Sequence, residues 1–143
     1  PSIPEANVLD LFAGSGVLGL ELLSRGAGHC RFNDCSRKHV AIVQENIAHC
    51  KANDKATVST MDFRKCLDSL QEKMDLIILD PPYRAGYYEE AIEKIMENDL
   101  LAEGGLIVAE HLYEEALPDE IAGLKKMKEK KYGTIGVDIY TRA

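Results

Sequence analysis

Residues 8–16, Val-Leu-Asp-Leu-Phe-Ala-Gly-Ser-Gly, decide the fold of this 143-residue chain. An apolar run leads directly into two closely spaced glycines, and helical spacing of apolar residues follows. Glycine accepts positive φ and lets a ligand approach the backbone closely, which is typical of the strand-to-helix turn in an open α/β sheet. The stretch therefore predicts a first strand, a glycine turn and a ligand crevice at the carboxyl end of that strand.

The alternation of strand-like and helix-like segments continues along the chain. Strands are predicted at 7–11, 30–33, 57–60, 74–79 and 106–110, and helices at 16–25, 37–51, 63–71, 87–98 and, briefly, near 118–124. Two adjacent strands around Gly133, at 124–132 and 134–141, predict an antiparallel hairpin. Alternating strands and helices favour a parallel sheet covered on both faces. We therefore expect a single α/β domain over residues 1–143, with a doubly wound, Rossmann-like, seven-stranded and mostly parallel sheet that ends in this hairpin.

The composition is that of an ordinary globular protein, with 45% hydrophobic and 29% charged residues. No apolar run approaches the roughly 20 residues that a membrane-spanning helix requires, and no basic-then-apolar signal opens the sequence. We therefore expect a cytoplasmic protein without a membrane partner. The four cysteines show no C-x-x-C spacing, which argues against a structural zinc site and favours reduced, mostly packed thiols. No bound metal is expected.

The net charge of −7 argues against a general basic surface for nucleic acid, because affinity for phosphates comes mainly from Lys and Arg. One local run of lysines departs from this acidity, at positions 125, 126, 128, 130 and 131. Lysines on an edge strand discourage edge-to-edge pairing, so a solvated edge strand explains the run as well as an RNA contact does.

The glycine turn also matches a known nucleotide-binding spacing. Gly14 to Gly19 satisfy G-x-G-x-x-G, and Asp34 follows Gly14 by 20 residues at the end of the second strand. That spacing is typical of a dinucleotide site, where the acid accepts a hydrogen bond from a ribose hydroxyl. Asp34 suits the ribose of any adenosine cofactor equally well, so the motif alone leaves both NAD and S-adenosylmethionine open.

Two further acids favour S-adenosylmethionine. Asp10 precedes the glycines, where a carboxylate would repel a pyrophosphate but would suit an ammonium group. Asp62 offers an acceptor for an adenine amino group, and Phe63 offers an apolar neighbour for the ring; capping of a turn or helix is the structural alternative for both acids. The predicted cofactor-binding residues are Asp10, Phe12, Gly14, Ser15, Gly16, Asp34, Cys35, Asp62 and Phe63.

The fourth predicted strand ends in Asp80-Pro81-Pro82-Tyr83, the predicted catalytic residues. The lone pair of a nucleobase amino group is delocalised into its ring. A carboxylate and a backbone carbonyl that accept its two N–H bonds favour a more tetrahedral nitrogen, while an aromatic ring stacks on the base. The plain alternative is a strand-ending turn, since proline is common there. Near the same edge, a loop acid and a solvated histidine explain Glu110-His111 as well as a substrate contact does.

With these residues placed, the chain resembles the RsmD-type family of bacterial 16S ribosomal RNA guanine-N2 methyltransferases. The matching segments are 8–16, 18–27, 80–83, 100–108 and Glu110-His111. The resemblance implies a class I methyltransferase fold, S-adenosylmethionine as methyl donor, and the 16S RNA or an assembling small ribosomal subunit as partner. Its target would be the N2 amino group of guanine 966 in the head of that subunit. It also implies that Asp80 and Tyr83 hold the guanine.

The resemblance is not complete. The family more often has Glu where Asp34 stands, and its closing Tyr-Gly-Asp-Thr pattern is only loosely met by residues 132–135. The family also carries a basic segment before the first strand, which we expect this chain to lack. D-P-P-Y by itself is shared with DNA adenine-N6 methyltransferases, and N-P-P-Y with release-factor glutamine methyltransferases. Those two activities, and an inactive Rossmann-like interaction domain, remain the alternatives.

Overall fold

The structure, a computed structural model, describes residues 3–142. Pro1, Ser2 and Ala143, which the predicted domain also includes, lie outside the described residues. The strands are β1 (Asn7–Asp10), β2 (His29–Asp34), β3 (Ala56–Thr60), β4 (Met74–Leu79), β5 (Leu101–Leu112), β6 (Glu120–Ile121), β7 (Leu124–Tyr132) and β8 (Ile135–Arg142). The helices are α1 (Val17–Ser24), α2 (Arg37–His49), α3 (Phe63–Ser69) and α4 (Tyr88–Glu97), with a 3-10 turn at Asn53–Lys55.

The described strands form one sheet in the order β3-β2-β1-β4-β5-β8-β7-β6. Strands β1 to β5 pair with one another in parallel, and β8 enters antiparallel between β5 and β7. Strand β1 pairs with β2 on one side and β4 on the other. The chain therefore adds β2 and β3 on one side of β1, and then crosses over to add β4 and β5 on the other side. In open α/β sheets the ligand crevice lies at such a switch point, outside the carboxyl ends of the strands.

The predicted architecture is confirmed, with one local correction near the carboxyl terminus. The short helix expected near residues 118–124 is absent, and β6 adds an eighth strand to the seven predicted. Ala122 (φ 50°) and Gly123 (φ 87°) both have left-handed backbone conformations, which end a right-handed helix and instead make a two-residue hairpin turn. This turn pairs Ile121 with Leu124, so the segment joins the sheet.

Two apolar cores cover the faces of the sheet. One lies under α3 and α4 and contains Phe63, Ile77 and Ile92; the other lies under α1 and α2 and contains Phe32 and Val43. Helix α1 approaches the sheet unusually closely. A Cβ atom added to Gly19 would lie 2.4 Å from Cε2 of Phe32, so the helix reaches this depth only because position 19 has no side chain.

A charged cluster is buried between β5, β7 and β8. The ring of His111 is 1% exposed, and its Nε2 lies 2.9 Å from Oδ2 of Asp138, which is itself fully buried. Nζ of Lys126 lies 3.3 Å from the same oxygen and donates to the carbonyl of Leu117 at 2.9 Å. The solvated histidine of the sequence interpretation is therefore wrong: His111 packs in the interior, whereas the neighbouring Glu110 is partly exposed.

The lysine run follows β7, whose outer edge is covered by β6 only at its first two residues. The lysines of this run are exposed on a strand near the sheet edge, except that the side chain of Lys126 points into the buried cluster.

Cys30 and Cys66 are buried, whereas Cys35 and Cys50 are exposed, so only half of the thiols are packed as expected. Within residues 3–142, no helix is long and apolar enough to cross a membrane. The same part of the chain contains no group of three or more His, Cys, Asp or Glu that could hold a metal ion.

Candidate active site

A crevice of about 580 Å³ opens at the carboxyl ends of β1, β2, β3 and β4. It collects nearly all of the residues that the sequence singled out. The predicted residues that line it are Asp10, Phe12, Gly14, Ser15, Asp34, Cys35, Asp62, Phe63, Asp80, Pro81, Pro82 and Tyr83. Gly16 does not line the crevice. Lining residues that the sequence analysis missed include Asn33, Ser36, His39, Met61 and Tyr87.

The glycine turn shapes the floor of the crevice. Gly16 has φ 82° and is the N-cap of α1, and a Cβ atom there would also lie 3.3 Å from Cγ1 of Val43. Because no side chain caps this helix, the backbone N–H groups of Val17 and Leu18 stay available to a ligand. Val17 and Leu18 follow as exposed apolar residues on the crevice wall, 62% and 43% accessible to solvent. The turn thus presents backbone donors beside apolar surface.

Asp10 lies at the base of this turn and is 2% exposed. Burial, together with the nearby charges of Asp80 and Asp34, raises the pKa of its carboxyl group to about 7, although a hydrogen bond from the Gly19 backbone lowers it. Among the described residues, its Oδ2 has no hydrogen-bond partner. A buried carboxylate oxygen without a donor is costly, so this atom fits a ligand that brings a cation or an N–H group.

Asp34 closes the turn from β2. Its Oδ2 accepts from the backbone N–H of Gly14 at 3.0 Å, and its Oδ1 accepts from the backbone N–H of Ser36 at 2.9 Å. Nδ1 of His39 lies 3.2 Å from Oδ1, and Cys35 is exposed beside it. The carboxylate is therefore fixed where it lines the crevice, and its Oδ2, with one donor, can accept a further hydrogen bond.

Asp62 is the N-cap of α3. This capping role is the structural alternative that the sequence left open for Asp62. Its carboxylate accepts from the backbone N–H of Arg64 at 2.9 Å, and it also lines the crevice. Phe63 is buried and packs against two other aromatic rings, with centroids 5.3 Å from Phe12 and 4.9 Å from Tyr87. These three rings make an aromatic wall. Tyr87 was missed because it follows an irregular loop, where sequence periodicity carries no signal.

The Asp80-Pro81-Pro82-Tyr83 segment also lines the crevice. Burial raises the pKa of Asp80 to about 6, and the charge of Glu110 adds to that rise. Tyr83 is 42% exposed, and its hydroxyl donates to Oε1 of Glu110 at 3.3 Å. An exposed aromatic ring beside a half-buried acceptor can hold a planar group that carries N–H donors.

The parallel sheet, its reversed terminal hairpin and the acidic crevice at the switch point define a Rossmann-like class I methyltransferase. The family model described as Conserved hypothetical protein 95 matches residues 1–141. The chain belongs to this family, which is the RsmD family that the sequence motifs indicated.

Individual relatives agree with this assignment. The chain is 38% identical over 137 residues to the Bacillus subtilis (strain 168) protein named "Putative rRNA methyltransferase YlbH", covering 94% of this chain and 74% of that protein. It is 34% identical over 145 residues to ribosomal RNA small subunit methyltransferase D of Escherichia coli (strain K12), covering 99% and 71% respectively. A solved structure of a conserved hypothetical protein from Streptococcus pyogenes superposes with a TM-score of 0.93 at 38% identity, covering 98% of this chain and 88% of that one.

Proposed function

We propose that this chain is an S-adenosylmethionine-dependent ribosomal RNA methyltransferase that modifies the exocyclic N2 amino group of a guanine in the small-subunit RNA. The observation that carries the proposal is that Asp80-Pro81-Pro82-Tyr83 lines the same crevice as the glycine turn. The names of the relatives support ribosomal RNA as the substrate. The choice of guanine N2, and of position 966, rests on the family resemblance.

The crevice residues fit the methyl donor. The unpartnered Oδ2 of Asp10 suits the ammonium group, the fixed carboxylate of Asp34 suits the ribose hydroxyls, and Phe63 gives an apolar neighbour for the adenine ring. The exposed N–H groups at the start of α1 suit a carboxylate. When bound, S-adenosylmethionine supplies an electrophilic methyl group.

The remaining chemistry belongs to the D-P-P-Y segment. The carboxylate of Asp80 and the carbonyl of Pro81 accept the two N2 hydrogens, and Tyr83 stacks on a base that has left its RNA context. The amino nitrogen gains a methyl group and loses a proton, which the Asp80 carboxylate accepts. The raised pKa of Asp80, about 6, makes it a better proton acceptor than an ordinary aspartate, while it is still mostly ionised above pH 7.

The test is an assay with labelled S-adenosylmethionine and small-subunit particles lacking the modification, followed by mass spectrometry of the nucleosides. We expect N2-methylguanosine from the wild-type protein, at least a 10²-fold loss of rate for Asp80→Ala, and nearly unchanged cofactor binding by calorimetry. Asp54→Asn is the matched control, because Asp54 is an exposed acid of the 3-10 turn at the other end of the sheet. N6-methyladenosine or methylglutamine as the product, or full activity of Asp80→Ala, would contradict the proposal.

A further inference from the structure

Glu110 is held beside the D-P-P-Y segment by contacts from two tyrosines. The hydroxyl of Tyr88 donates to the backbone carbonyl of Glu110 at 2.6 Å, and the hydroxyl of Tyr83 donates to its carboxylate at 3.3 Å. Tyr88 is itself buried and lies edge-on to the ring of His111, with centroids 6.2 Å apart. The carboxylate therefore has a defined place at the end of β5, and one of its oxygens remains free of this tyrosine contact.

The carboxylate of Glu110 is close enough to that of Asp80 for the two charges to interact. Among the causes that raise the pKa of Asp80, the Glu110 carboxylate comes second after burial, and it also raises the pKa of Tyr83. Asp80 directly follows β4, Glu110 lies on the adjacent strand β5, and the exposed Tyr83 donates its hydroxyl to Glu110. Such a pair of acids disfavours any ligand with a lone pair at that point and favours one with two neighbouring donors.

The nucleobases differ at this point. In guanine, the ring nitrogen next to the N2 amino group carries a hydrogen, so the N1–H and the N2 hydrogens form one continuous donor edge. In adenine, the ring nitrogen next to the N6 amino group carries a lone pair. A single acid and a carbonyl can hold the amino group of either base, whereas a second carboxylate beside them suits only the guanine edge.

We infer that Glu110 accepts the N1–H of the target guanine and thereby selects an amino group that lies next to a protonated ring nitrogen. This inference rests on the proposed function, and it assigns the choice between guanine and adenine to a residue outside the D-P-P-Y motif. Asp80 and Pro81 would hold the amino group in either case. Glu110 would reject the adenine arrangement, because its charge faces the lone pair of N1.

The experiment compares two target bases in the same particle. The methylated position is first mapped with the wild-type protein, and that nucleotide is then replaced by 2-aminopurine, which keeps the 2-amino group but has a lone pair at N1. Glu110→Gln supplies an amide N–H of nearly the same shape. We expect this variant to lose about 10- to 100-fold in kcat/KM on guanine and to gain on 2-aminopurine. The ratio of the two values should fall by at least 10-fold.

Tyr83→Phe is the matched control, because it removes the hydroxyl that binds Glu110 but keeps the carboxylate and the aromatic ring. It should lower both rates by a similar factor and leave their ratio unchanged. If Glu110 only anchors Tyr83, the Gln variant will behave in the same way, and the inference is overturned. Because both substrates are assayed with one enzyme preparation, partial misfolding of a variant does not alter the ratio.

The outcome also separates this inference from the proposed function. N2-methylguanosine from the wild-type protein, with an unchanged ratio in Glu110→Gln, overturns the role of Glu110 alone. Methylation of adenine by the wild-type protein overturns both, because Glu110 would then face the N1 lone pair that it is inferred to reject.

Discussion

Replacement of Asp10 by asparagine should stabilise the ligand-free protein at pH 8 and destabilise it at pH 4.5. The wild-type carboxylate is 2% exposed, and one of its oxygens has no partner among the described residues. Its pKa is raised from 3.8 to about 7, chiefly by burial. The folded protein therefore keeps a proton on Asp10 at pH values where the unfolded chain has lost it.

The magnitude follows from that difference. A folded-state pKa that is about three units above the unfolded value destabilises the charged form by ~4 kcal/mol. This penalty is absent below about pH 4, grows as the pH rises towards 7, and is complete above 7. Asparagine does not ionise, so it avoids the penalty, but its buried amide lacks an acceptor and costs about 1–3 kcal/mol. The net effect is a gain of about 1–3 kcal/mol at pH 8; at pH 4.5, where the wild type already carries about 1 kcal/mol of the penalty, it is a loss of up to about 2 kcal/mol.

Urea unfolding without ligand, at pH 4.5 and pH 8, measures both effects. Asp54→Asn serves as the control, because it makes the same chemical change at an exposed position. A change in unfolding free energy for Asp10→Asn that is equal at the two pH values would refute the reasoning, since it would mean that burial does not hold a proton on Asp10. Under the proposed function, the same variant should bind S-adenosylmethionine more weakly at pH 8, which calorimetry measures.

Two further predictions concern the buried cluster and the lysine run. Asp138→Ala should lower the free energy of unfolding by about 3–5 kcal/mol, because it leaves the His111 ring and the Lys126 ammonium group without their buried partner. Glu120→Ala, which removes an exposed carboxylate 3.9 Å from Lys125, should cost no more than about 1 kcal/mol in the same urea experiment. The β7 register places Lys130 level with Val137 and hence with Glu110, at the crevice end of the sheet. If the substrate is RNA, Lys130→Ala with Lys131→Ala should weaken its binding and reduce the salt dependence of the binding constant, whereas Lys51→Ala with Lys55→Ala, at the opposite end, should not. Equal effects of the two lysine pairs in filter binding would argue against RNA contact at β7.

Much of the fold could be predicted because its signals are local. The apolar run before Gly14, the switch from strand-like to helical spacing, and the uninterrupted hairpin around Gly133 each occupy fewer than about 20 neighbouring residues. Parallel strands bring their carboxyl ends to one edge, so residues that end different strands could be assigned to one crevice without knowledge of any contact. The structure places Asp10, Asp34 and Asp80 around that crevice.

The missed features depend on contacts between distant segments. His111 and Asp138 are 27 positions apart and meet only because β8 enters the sheet beside β5. The left-handed turn at Ala122 was not expected, because alanine rarely adopts positive φ. Tyr87 reaches the crevice through packing on Phe63, which no spacing in the sequence reveals. The positions of these residues are decided by tertiary packing, so they could not be predicted from local sequence patterns.

The glycine motif could not choose between cofactors, and the structure shows the physical reason. Gly19 packs against Phe32, with no room for a Cβ atom, and Gly16 holds the left-handed start of α1; both roles serve the contact between helix and strand. Any protein that builds this turn needs them, whatever it binds. The acids differ in this respect. Burial of Asp10 with one carboxylate oxygen unpartnered weakens the ligand-free fold, and under the proposed function the methyl donor would supply the missing charge or donor. For a close strand-to-helix turn, a buried acid that destabilises the ligand-free fold, such as Asp10, therefore indicates the ligand better than the glycines that form the turn.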